Sequence, residues 1–128
     1  MTGPLGEARY LSLKTFRRDG RGVATPVWFA LRRGRYYLFS AGDAGKVKRL
    51  RNDGRAEVAA CNVRGVLLGP WLPASARLLE DPDDQRLALA ALRARYGVQM
   101  RLADLFARLG GRFHKRAYIE VSVHAENG

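Results

Sequence analysis

The sequence predicts a mainly β fold, a small β-barrel with peripheral helices, and three observations carry that expectation. Several short segments alternate apolar and polar residues and are rich in Leu, Val, Tyr and Phe. Turn signals in "RRDGRG" and "RRGR" separate them at hairpin spacing. Only two or three segments keep a helical period, too few for a helical bundle or a layered α/β domain. At 128 residues and 47% hydrophobic, the chain reads as one domain, residues 1–128, whose core needs no disulfide or metal staple.

The elements follow in order. "YLSLKTF", from Tyr10, is the first strand, and Asp19-Gly20 turns it. In "VATPVWFAL", Val23, Thr25, Val27, Phe29 and Leu31 share one face, with Ala24, Pro26, Trp28 and Ala30 on the other. "YYLFS" follows a tight turn and completes an expected three-stranded meander. Asp43 is a good N-cap for a short helix from about Ala44 to Asn52, and Gly54 suits the position just past its end. "AEVAACNV" reads as a fourth strand, "VRGVLLGPW" contains a loop, and "LPASARLLE" reads as a fifth strand. In "EDPDDQRLALAALRARYG", Asp81 caps a longer helix and Pro82 takes its first position. Asp83 and Asp84 suit its positive pole, and Leu89, Leu92 and Tyr96 form an apolar stripe that Gly97 ends. "RLADLFARL", residues 101–109, repeats the helical pattern, and "AYIEVSVH" is the final strand.

Charge narrows the partners. Lys and Arg number 23 against 12 Asp and Glu, a net +11. Such a chain attracts nucleic acid, anionic lipid or an acidic small molecule, although an arginine bias of the genome explains the total equally well. The basic residues cluster in "KVKRLRNDGR" and "RLGGRFHKR". Nucleic-acid platforms interleave aromatics with bases, and Phe113 is the only aromatic in either cluster, so nucleic acid is not expected. No apolar run approaches the roughly 20 residues that cross a bilayer, and "MTGPLGEARY" lacks a signal-peptide pattern. The single cysteine, Cys61, sits among apolar neighbours and reads as a buried thiol in a reducing cytoplasm.

Two placements run against local rules. Lys46 falls in the first turn of the short helix, with Lys48 and Arg49 close behind, where a base costs a few tenths of a kcal/mol against the positive pole. Either an anion sits there or the charges point into water. Pro26 interrupts a strand, which fits an edge strand or a strand whose freed backbone faces a ligand. Catalytic constellations are otherwise missing. There is no Cys-x-x-Cys and no His-x-x-x-His, so a metal site is not expected. Ser40, His114 and Asp43 form a triad only on paper, since nothing around Ser40 resembles a nucleophile elbow. An enzyme built on this chain needs a cofactor to carry the chemistry.

"YLSLKTFRRDGRGVATPVWFAL", "YYLFS" and "GKVKRLRNDGRAEVAAC", in that order, resemble the split-barrel flavin/deazaflavin oxidoreductases, the superfamily of the pyridoxamine 5'-phosphate oxidase-like proteins. "TPVWF", "GKVKRL" and a later "RYG" are most similar to its coenzyme F420-dependent branch, and the resemblance runs from about Tyr10 to Val123. It implies a six-stranded split β-barrel that forms a homodimer with cofactor sites at the interface. The cofactor phosphate would be held by Ser40, Lys46 and Arg49, with Lys48 nearby, and the ring would lie against Thr25, Pro26, Val27 and Trp28. The implied cofactor is F420, with FMN as the alternative, and related barrels bind haem. The implied activity is hydride transfer from the reduced deazaflavin to a small organic acceptor; a non-catalytic cofactor-binding protein is the other reading. The second basic cluster, Arg112, His114, Lys115 and Arg116, either meets the acidic tail of F420 or is a solvated loop. Trp28 and Trp71 either stack on the ring or pack in the core. The arginine-serine-arginine-lysine clamp of the true pyridoxamine phosphate oxidases is not reproduced, so the resemblance does not extend to that reaction. No catalytic residue is assigned.

Overall fold

The alternation in the sequence becomes one curled antiparallel sheet. The structure is a computed structural model, and it describes residues 8–41, 44–96 and 116–124. The strands are β1 (Tyr10–Phe16), β2 (Gly22–Trp28), β3 (Ala30–Arg32), β4 (Arg35–Ala41), β5 (Arg55–Cys61), β6 (Leu72–Leu78) and β7 (Arg116–Val123). Their order across the sheet is β2-β1-β5-β6-β7-β4-β3. The outermost strands, β2 and β3, are consecutive in the chain and joined through Phe29 alone. A flat sheet of this order would need a long link between its edges, so the sheet must curl until they meet. The result is a mainly β split barrel, with six strands when β2 and β3 are counted as one bent strand.

The expected three-stranded meander is present in its pairings, with a middle strand that bends. β2 pairs with β1 (Leu13 opposite Thr25, Leu11 opposite Val27), whereas β3 pairs with β4 (Leu31 opposite Tyr36). The predicted strand over 23–31 therefore changes partner at Phe29 and closes the barrel. The inward alternation survives the bend, because Phe29 is buried and Val27 and Leu31 pack on the same core. That core is formed by Leu11, Leu13, Phe29, Tyr36, Leu38, Val58, Ile119 and Val121, with Phe29 and Tyr36 edge to face at 5.3 Å.

Two helices flank the barrel among the described residues. Helix α1 (Gly45–Asn52) packs against β1 and β6 with Val47 and Leu50 buried. Its N-cap is Ala44, which makes no side-chain cap bond; Asp43, the expected cap, lies outside the described residues. Gly54 does follow the helix end, but for a different reason than a left-handed cap. Its carbonyl accepts from Ala76 N at 2.8 Å, and a Cβ there would lie 3.1 Å from Ala76 O. Helix α2 (Pro82–Tyr96) starts as predicted, with Asp83 N donating to Asp81 Oδ1 at 2.8 Å. Ala88 and Leu92 are buried where it covers the outer face of β3, β4 and β7. The expected helix over 101–109 and its neighbour Gly97 lie outside the described residues. No described helix is long and apolar enough to cross a membrane.

Candidate functional site

Helix α1 returns over the end of β4 and brings three of the predicted residues together. Lys46 Nζ donates to Ser40 Oγ at 3.2 Å, and Ser40 is buried at the end of its strand. Lys46 and Arg49 are three residues apart and neighbours on the helix surface. Arg49 Nε donates to Thr15 Oγ1 at 2.6 Å, and Thr15 is fully buried. A Cβ on Gly45 would lie 2.8 Å from Arg49 Nη1, so the bare glycine lets the guanidinium fold back over the first turn.

The electrostatics here are one-sided. The first turn of α1 holds no acid and its N-cap makes no side-chain bond, so among the described residues no first-turn acid or side-chain cap offsets the positive helix pole. Burial, and then the charge of Arg49, push the Lys46 pKa down from its ordinary value. Burial, and then the charge of Arg17, push that of Arg49 down. Among the described residues no carboxylate forms an ion pair with either cation. Lys46 lies in the first turn of α1 and Arg49 in its last, but the Arg49 guanidinium folds back over Gly45. Two partly desolvated cations, each anchored by a hydroxyl, so come together in a cradle with the chemistry to hold an anion. Lys48 is exposed and borders an adjoining groove of about 330 Å³ with Phe16, Arg17, Arg18, Arg49, Asn52 and the carboxylate of Asp53.

Thr15 and Arg17 are the members that the sequence reading missed. The signal was present for Thr15: after Leu11 and Leu13, it is a polar residue at an inward-facing position.

The four ring-wall candidates divide between the two faces of β2. Thr25 and Val27 lie opposite Leu13 and Leu11 on the inner face, while Pro26 and Trp28 lie opposite Ser12 and Tyr10 on the outer one. Trp28 packs against Ala30 and Leu92. Trp71 lies beneath the Lys14 ammonium, 4.1 Å from its ring centre. Their side chains therefore form no single wall; what they share is the backbone of an edge strand. Pro26 suits that edge, where a missing N–H breaks no ladder on the open side. Thr25 Oγ1 is buried with no hydrogen-bond partner. An unmet buried hydroxyl is costly, and this one lies on the inner face of β2.

Cys61 is free and buried as expected, and burial pushes its thiol pKa up. Among the described residues no three His, Cys, Asp or Glu side chains are arranged to hold a metal. Arg112, His114 and Lys115 lie outside the described residues, as does the side chain of Arg116.

The sequence profile described as pyridoxamine 5'-phosphate oxidase matches residues 4–127. The chain belongs to the pyridoxamine 5'-phosphate oxidase family. Its barrel is the split barrel that the resemblance implied. No curated protein matches the sequence.

Solved structures repeat the family fold. A conserved hypothetical protein of Mycobacterium tuberculosis is 19% identical with a TM-score of 0.64, covering 95% of this chain and 86% of that one. HutZ, a haem storage protein of Vibrio cholerae, is 15% identical with a TM-score of 0.66 over 95% of this chain and 84% of its own. An FAD-binding protein of Mesorhizobium loti is 14% identical with a TM-score of 0.58 over 91% and 82%. At such identities the likeness is one of fold.

Proposed function

We propose that this family member binds a phosphate-bearing deazaflavin, coenzyme F420, with FMN as the alternative, and acts as an oxidoreductase on a small organic acceptor. The observation that carries the reading is the Lys46–Arg49 pair. Both cations are partly desolvated, both have depressed pKa values, and no carboxylate among the described residues offsets them. A chain that holds such charge at a helix pole loses stability unless an anion arrives. A cofactor phosphate is an anion of the right size and charge.

When bound, F420 or FMN supplies the hydride-transfer chemistry. The chain's own residues do the rest. Lys46, Arg49 and Ser40 bind the phosphate, Thr25 Oγ1 gains the polar partner it lacks, and Val27 with the Leu11–Leu13 core keeps water from that side. The groove beside Arg49 favours F420 over FMN, because Arg17, Arg18 and Lys48 outnumber its one carboxylate, Asp53, and suit the acidic tail that only the deazaflavin carries. Haem draws no support from His124, which is exposed and bonded to Ser75 Oγ at 2.8 Å.

A second copy of the chain completes this reading. Val63, Val66, Leu67 and Leu68 are 42–64% exposed on the loop between β5 and β6. That loop reaches the β2 edge, where a Cβ on Gly65 would meet the Pro26 ring at 3.8 Å. An apolar patch beside the proposed ring wall suits a partner subunit that covers both.

The test is a titration of the purified protein with F420 and, separately, with FMN, following each cofactor's own fluorescence. Saturable binding with F420 the tighter supports the deazaflavin reading, and the reverse order moves the same site to FMN. Binding of neither refutes the proposal.

A further inference from the structure

A second cationic hollow lies on the opposite face of β4 from the Ser40 cradle. Arg32, Arg33, Arg35 and Arg77 share a space of about 380 Å³ with Tyr37 and Glu120. Tyr37 and Arg77 are the cross-strand neighbours of Glu120 on either side of β7, so all three project from the outer surface. Arg77 Nε donates to Glu120 Oε1 at 2.8 Å, and Arg35 Nη1 reaches the same oxygen at 3.5 Å. The Tyr37 hydroxyl donates to Oε2 at 2.9 Å. Glu120 is thus a buried brace. It takes one N–H from each arginine and leaves the rest of each guanidinium group, on side chains 55% and 56% exposed, at the hollow. With Asp84 also on the rim, four guanidinium groups face two carboxylates, an excess of two positive charges.

The backbone adds an independent mark. Arg33 is the one described non-glycine residue with a positive φ, 53°, in the two-residue turn Arg33-Gly34 between the paired Arg32 and Arg35. Glycine, asparagine or aspartate fits that position without strain, and arginine does not. Strained residues concentrate where a ligand is held, and here the strained residue is a fourth cation on the hollow.

We propose that this hollow binds a small diphosphate-type anion at a site separate from the Lys46 cradle. Braced guanidinium forks match phosphoryl oxygens in bidentate pairs, and several forks around one space suit two phosphoryl groups better than one. Arg35 and Ser40 are five residues apart on β4, about 17 Å at strand rise, and on opposite faces, so one phosphate cannot span both sites.

The experiment is calorimetric titration of pyrophosphate into Lys46→Met/Arg49→Gln protein, in which the cradle is disabled, and into the same protein carrying Arg32→Gln/Arg33→Gly. Glycine accepts the φ of residue 33, and neither arginine bonds Glu120, so the added changes spare the fold. The expected result is saturable one-to-one binding that weakens at least tenfold when the two arginines go. Absent binding in the parent, or equal affinity after their loss, overturns the proposal. In the wild-type chain the Arg77 Nε–H resonance shifts with added pyrophosphate; an unmoved resonance overturns it equally.

Discussion

Lys46 Nζ and Ser40 Oγ sit 3.2 Å apart, and this bond ties the first turn of α1 to the end of β4. It places a half-buried ammonium where the helix pole is already positive. Such a placement costs stability in the cofactor-free protein, and the proposed anion would offset that cost.

Lys46→Met stabilises the cofactor-free protein by about 0.5 kcal/mol, since it removes a base from the positive pole. It weakens F420 or FMN binding roughly tenfold or more, the worth of a lost charge-assisted hydrogen bond. The pH dependence has a definite sign. Folding lowers the Lys46 pKa below its ordinary 10.5, so the unfolded chain binds more protons in the window between the two values. Wild-type stability therefore carries a component that rises with pH through that window, and Lys46→Met lacks it. Urea unfolding at neutral pH and in the alkaline range measures both.

Thr25→Val behaves in the same divided way. It removes a buried hydroxyl without a partner and keeps the shape, so the cofactor-free protein gains about 1 kcal/mol. Cofactor affinity falls several-fold, because the hydroxyl's missing partner is then the cofactor itself. Thermal unfolding with and without cofactor reads the crossing of the two effects.

The split barrel was legible because inward alternation is a period-two signal that bending does not erase. Val23, Thr25, Val27, Phe29 and Leu31 keep one face from β2 through β3. The bend in the middle strand of the meander was not legible, because alternation says which side chains face inward and nothing about where a strand changes partner. Closure depends on long-range pairing, and no local residue encodes it. Lys46 stood out because a base in the first turn of a helix violates a local rule, whereas Arg49 in the last turn of α1 does not. Thr15 interrupts the inward apolar series after Leu11 and Leu13, but its meeting with Arg49, like that of Arg17, comes from the fold alone. The Glu120 brace was hidden because its partners, Arg77 and Tyr37, are more than 40 residues away in the chain.

Glu120→Gln destabilises the fold by about 2 kcal/mol, the order of a lost charge-assisted pair at a buried acceptor. Burial raises the Glu120 pKa, but hydrogen bonds from Arg77 and Tyr37 and the charges of Arg77 and Arg35 outweigh it and hold it below the ordinary 4.5. The stability it contributes is complete above 4.5 and disappears as pH falls through the lower folded value. An acid unfolding series shows this loss in the wild type and not in Glu120→Gln.

Val66→Asp combined with Leu68→Lys puts charge on the exposed loop without touching the core. Sedimentation of the wild type gives a mass near twice 14.3 kDa, and the variant sediments as a monomer with weaker cofactor binding. A wild-type monomer removes the second subunit from the proposed site.

The central claim is that Lys46 and Arg49 form the phosphate cradle. The most direct measurement is F420 and FMN affinity in the wild type and in Lys46→Met/Arg49→Gln, read by cofactor fluorescence with each protein's thermal unfolding recorded alongside. The account predicts at least a thirtyfold loss of affinity for the preferred cofactor, about 2 kcal/mol, in a double variant that unfolds at or above the wild-type temperature. Equal affinity in a folded double variant contradicts it.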